Sequence, residues 1–120
     1  MSDNTLHMTM LFDFFGELLT AKQREYFDLY HNEDLSLSEI AEMAGISRQG
    51  VYDIIARAES TLTHFETKTG VVKKWNETKM QLEHAGNLTR QLQLVSGKDE
   101  QTTLLVSELT AILEGINNGI

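Results

Sequence analysis

Apolar residues along this 120-residue chain recur at intervals of three and four, and nowhere alternate one by one over the length of a strand. Met8, Leu11, Phe12, Phe15, Leu18 and Leu19 trace one face of a first helix, which Thr20 stops. Thr20 also opens a second helix, because Gln23 stands three residues on and the pair can form a capping box. This helix is expected from Ala21 to about Tyr30, with Tyr26, Phe27, Leu29 and Tyr30 as its apolar surface. The polar run His31-Asn32-Glu33-Asp34 then breaks the pattern.

The next two helix starts are written more fully. Ser36 and Glu39 form a second capping box, flanked by Leu35 and Ile40 at the positions of a hydrophobic staple. Ser47 can cap a following helix, with Ile46 and Val51 as its staple. Between them Gly45 stands where a helix end favours left-handed backbone. A short helix over about 37–44, a tight turn and a helix from Arg48 onward follow from these signals. That is a helix-turn-helix. The second helix is expected to continue through Leu62 and Phe65 to Gly70.

Beyond Gly70, Trp75, Leu82, Ala85, Leu88, Leu92 and Val95 trace another apolar stripe. Ser96-Gly97-Lys98-Asp99 reads as a loop, and Leu105, Leu109, Ile112, Leu113 and Ile116 mark a last helix with a frayed end near Gly119. Each stripe must cover its apolar side against the helix-turn-helix core, against the other stripe or against a second subunit. All three choices are open at this level.

The chain contains no proline, which suits long helices, and no cysteine, which excludes disulfides and thiolate chemistry. An all-α fold is expected: a helix-turn-helix core over residues 1–70 and a C-terminal helical extension over 71–120, possible as a hairpin. No apolar run is long enough to span a bilayer and no leader opens the chain, so a cytoplasmic protein without membrane insertion is expected.

Charge complicates the motif. In a helix-turn-helix the start of the second helix meets base edges, here Ser47, Arg48 and Gln49, then Tyr52, with Arg57 further along. Arginine can fork onto guanine and glutamine can pair with adenine. The whole chain, however, has a net charge of −8. Residues 47–59 are neutral, and net positive charge appears only over 60–90, where Lys68, Lys73, Lys74 and Lys79 form a secondary basic strip. A tight duplex binder neutralises several phosphates, so these electrostatics suit weak or assisted contact.

Each candidate also has a plainer reading. Tyr52 would pack on the helix it abuts, and Arg57 would pair with Asp53 one turn earlier. The lysines would line a solvated face, and Trp75 would sit between helices. His7, His31, His64 and His84 are scattered without ligand spacing, and no nucleophile–base signature, phosphate-binding glycine loop or HExxH occurs. No catalytic residue, metal or cofactor is expected, and the protein is not expected to be an enzyme.

The stretch from Gly16 to Glu59 resembles the YlxM family of small bacterial helix-turn-helix proteins. The likeness rests on Leu19-Thr20 with Lys22-Gln23-Arg24, on Asp34-Leu35-Ser36-Leu37 with Glu39-Ile40-Ala41, and on Ser47-Arg48-Gln49 with Val51-Tyr52-Asp53 and Arg57. It covers about residues 8–66. It departs from the family pattern at Gly50, where alanine is expected, and at Ala56, where lysine is expected. A broader likeness links the same region to region 4 of sigma factors. Genes of the YlxM family lie beside that of the signal recognition particle GTPase. The resemblance therefore implies a regulatory or accessory role in that pathway, through its RNA or its GTPases. Two alternatives stand beside it: a DNA-binding transcriptional regulator, dimeric through the C-terminal helices, and an acidic adaptor that meets only protein.

Overall fold

The computed structural model describes residues 3–95 and 99–119, so the central residues of the expected loop, Ser96, Gly97 and Lys98, lie outside it. Among the described residues the elements are all helical: α1 (Asp3–Phe15) with a 3-10 turn (Gly16–Leu18), α2 (Ala21–His31), α3 (Leu37–Ala44), α4 (Arg48–Thr69), α5 (Val71–Val95) and α6 (Glu100–Gly119). The chain divides into two compact units, Met1–Val72 and Lys73–Ile120.

Capping chemistry sets the boundaries in the first unit. The Thr20 hydroxyl accepts from the Gln23 N–H at 3.2 Å while the Gln23 side chain accepts from the Thr20 N–H at 3.0 Å. Ser36 and Glu39 do the same at 3.1 Å each way. Leu35 packs on the cluster that contains buried Ile40, as a staple requires. The second staple is only half realised, because Val51 is buried while Ile46 stays exposed.

Two clusters hold this unit together, and α4 contributes to both. Tyr26, Ile40, Ala41, Val51 and Ile55 join α2, α3 and the first half of α4. Met8, Leu11, Phe15, Leu19, Phe27, Ala58, Leu62 and Val72 join α1, α2 and the second half. Val51, Ile55, Ala58 and Leu62 follow one another at spacings of four and three, so one stripe of α4 serves both clusters. Phe12 stacks on Phe27 with ring centroids 4.6 Å apart. Leu18, expected on the buried face of the first helix, is exposed, because the chain has already tightened into the 3-10 turn that carries it.

The second unit is built differently. Between Arg90 and Glu114, 24 residues of straight helix would span roughly 36 Å. Their side chains instead lie 3.9 Å apart, so α6 doubles back along α5 as a hairpin. Its most enclosed residues are small: Gly86, Thr89 and Val106. Leu82 and Leu113 are half-buried, Lys79 lies over the half-buried Trp75 ring at 4.9 Å, and α6 stays helical through Gly119 where a frayed end was expected. No described helix is long and apolar enough to cross a membrane.

Candidate nucleic-acid interface

The turn between α3 and α4 is built from two polar caps and one glycine. Gly45 takes left-handed backbone at φ 70°, and its N–H and that of Ile46 both donate to the Ala41 carbonyl, at 2.9 and 3.2 Å. Only glycine holds this conformation without a steric cost. Ser47 then caps α4, its hydroxyl accepting from the Gly50 N–H at 3.0 Å. At Gly50 a methyl group would stand 3.1 Å from that hydroxyl, so glycine leaves the cap uncrowded. At the start of α3 the Ser36 backbone N–H, and after it the Ser36 hydroxyl, hold the exposed Glu39 carboxyl below its ordinary value.

This geometry places the expected contact residues on the surface, though not all together. Arg48 and Gln49 are exposed, and with Leu37 and Tyr52 they line one shallow depression. Tyr52 does not pack away against a neighbouring helix; it is 54% exposed. On its other side a hollow of about 120 Å³ is lined by Tyr30, Leu37, Tyr52, Ile55, Ala56 and Glu59. The surface next to Arg48 is thus aromatic and aliphatic rather than basic.

Arg57 belongs elsewhere. Nine residues after Arg48, it lies roughly 180° around the helix and about 13 Å further along it. Its expected pairing with Asp53 does not form. Asp53 accepts from the Gln49 amide at 2.9 Å, and among the described residues Arg57 has no ion pair. The interaction one turn apart exists, but it runs toward the start of the helix. This bond occupies one of the two hydrogens on the Gln49 amide nitrogen. Of the basic strip, Lys68 is exposed in the first unit; Lys73, Lys74 and Lys79 are in the second, with Lys79 committed to Trp75.

One polar contact had no signal in the sequence. His31, at the end of α2, is buried, with its Nε2 3.2 Å from Glu59 Oε1 on α4 and its ring against Phe27 and Tyr30. It fixes α2 to α4 behind the hollow at Tyr52. The two residues are 28 positions apart, and no local pattern links them.

A family profile described as "Putative helix-turn-helix protein, YlxM / p13 like" matches residues 2–105. The chain belongs to the YlxM family. Among curated YlxM-family relatives, it is 41% identical to a UPF0122 protein of Thermoanaerobacter sp. (strain X514) over 119 residues, spanning 98% of this chain and 99% of that one. It is 41% identical to the UPF0122 protein YlxM of Bacillus subtilis (strain 168) over 107 residues, 89% of this chain and 94% of that one. A UPF0122 protein of Caldanaerobacter subterraneus subsp. tengcongensis is 53% identical over 83 residues, 69% of this chain and 71% of its own. The YlxM likeness therefore extends well beyond residues 8–66 and takes in α5 and part or all of α6. The family is described as a helix-turn-helix family and not by a catalysed reaction.

Proposed function

We propose that this YlxM-family chain is a regulatory or accessory protein of the signal recognition particle pathway that touches nucleic acid through the start of α4. The observation carrying this reading is the open, capped N-terminus of α4: Arg48, Gln49 and Tyr52 share one surface beside Leu37, with backbone already held by Ser47. An arginine fork, an amide and an exposed phenol ring supply a cation, a base-edge donor and a stacking face. Single-stranded or looped RNA suits this set better than a duplex, because stacking on Tyr52 needs an unpaired base.

Contact through one chain is weak on this reading, since Arg57 points elsewhere and one cation neutralises about one phosphate. Fluorescence anisotropy with the particle's RNA, an unrelated RNA and duplex DNA at low salt is the direct test. The expected result is salt-dependent binding whose log–log slope is about −1 to −2 per chain, abolished by Arg48→Ala with Gln49→Ala. Absence of binding to all three would sink the proposal.

A second reading draws on the hollow between Tyr30, Leu37 and Tyr52 and on the net charge of −8. An apolar side chain of a basic protein partner, such as a GTPase of the particle, would seat there, with opposite charge speeding the encounter. A pulldown that survives nuclease and fails with Tyr52→Ala supports this reading, and loss under nuclease removes it.

A further inference from the structure

The hairpin leaves most of its large aliphatic residues uncovered. Leu88, Leu92 and Val95 on α5 and Leu105, Leu109, Ile112 and Ile116 on α6 are 47–81% exposed. Their spacings, four then three on α5 and four, three, four on α6, give the 3.5-residue repeat of helices that pack along a seam. Leu88 immediately precedes buried Thr89, and Leu105 immediately precedes buried Val106. Each stripe therefore sits roughly 100° back from the enclosed side of its own helix. Because the two helices run in opposite directions, the same rotation brings both stripes to one side of the hairpin, as a single two-helix apolar face.

We infer that this face is closed by the same face of a second copy, making a four-helix bundle. Seven such side chains expose roughly 700 Å² per copy, close to the ~800 Å² per partner of a stable interface and beyond the apolar patches that monomers leave to water. A two-fold axis along the helices would set α5 of one copy on α6 of the other, whereas an axis across them would stack α5 on α5 and α6 on α6. Charge selects the first. The α6 helix carries three acids and no base, so stacking it on itself would set acid against acid, while the stretch of α5 that α6 can cover holds Glu77, Lys79, Glu83 and Arg90 in balance. The ring order α5, α6, α5, α6 then keeps the acidic α6 helices from stacking on each other, with all neighbours antiparallel. Such a dimer carries two copies of the α4 start. It stands whether or not the ligand there is nucleic acid.

Sedimentation equilibrium of the full chain tests the association, and the absence of native cysteine makes single-cysteine cross-linking a clean test of the order. Twice the chain mass is expected at micromolar concentration, falling to one chain mass in Leu109→Asp with Ile112→Asp. Circular dichroism should show unchanged helix content in that variant, since both positions are already exposed in the single chain. Mixing Leu88→Cys with Leu109→Cys should give the mixed disulfide under mild oxidation. A wild-type chain that stays monomeric, or a double variant that stays dimeric, overturns the interface. A dimer that forms Leu88→Cys self-cross-links, or that forms no mixed cross-link, overturns the order. Sedimentation that shows a dimer only when vesicles or other proteins are added also counts against a second copy as occupant.

Discussion

The two units of the chain handle the same kind of pattern in opposite ways. In the first, the apolar stripes of α1, α2, α3 and α4 close on one another, and Leu11, Phe27, Ile40, Val51 and Leu62 keep almost no contact with solvent. In the second, equally regular stripes meet solvent, and the hairpin closes over Gly86, Thr89 and Val106 instead. Helical periodicity therefore states that a face must be covered, without stating by what. Where the enclosed residues are small and the exposed ones large, the covering lies outside the hairpin.

This contrast can be broken at several points. Phe27→Ala removes a fully enclosed ring stacked on Phe12, and a loss of about 3–5 kcal/mol is expected in urea unfolding. Leu109→Ala in the hairpin should cost under ~0.5 kcal/mol at dilutions where the chain is monomeric, as for other exposed sites. Its cost should grow as protein concentration rises, because the dimer contributes to stability by mass action. If dilution makes no difference, the hairpin's exposed face takes no part in association.

The turn of the helix-turn-helix gives smaller effects. Gly45→Ala places a methyl group in open space but in left-handed backbone, so roughly 1–2 kcal/mol of destabilisation is expected from conformation alone. Ser47→Ala leaves the Gly50 N–H without its cap and should cost about 1 kcal/mol. Equal costs for alanine at Gly45 and at exposed Gly115 would show that the left-handed conformation carries no strain. The smallest effect is one of pH. Glu39 has a lowered pKa, so its support for the start of α3 is complete above the ordinary carboxylate value and fades as pH falls through the lowered one. The protection factor of the Ser36 amide, corrected for the intrinsic slowing of exchange in acid, should fall on acidification, and Glu39→Gln should flatten that response.

Legibility in the sequence follows the range of the interactions. The limits of α3 and α4 could be read to the residue because caps, turn glycine and helix are made by groups within about five positions of each other. The long reach of α4 to Gly70 was readable for the same reason. By contrast, His31 meeting Glu59 and Phe12 stacking on Phe27 depend on how helices cross, which no local window holds. The candidate interface falls between these cases. Exposure of Arg48 and Gln49 is a direct product of the cap, whereas the separation of Arg57 from Arg48 is simple helix geometry that the shared motif obscured. Asp53 had two eligible partners one turn away on either side, Gln49 and Arg57, and composition alone favoured the charged one.

One further consequence lies in α4 itself. Its single buried stripe is seated in two clusters, Val51 and Ile55 in one and Ala58 and Leu62 in the other. The helix is pinned like an axle in two bearings. Rolling it by even a fraction of a turn to re-aim Arg48 would also unseat Leu62, nearly three turns past Tyr52. Whatever meets this end of the molecule must fit the aim it already has.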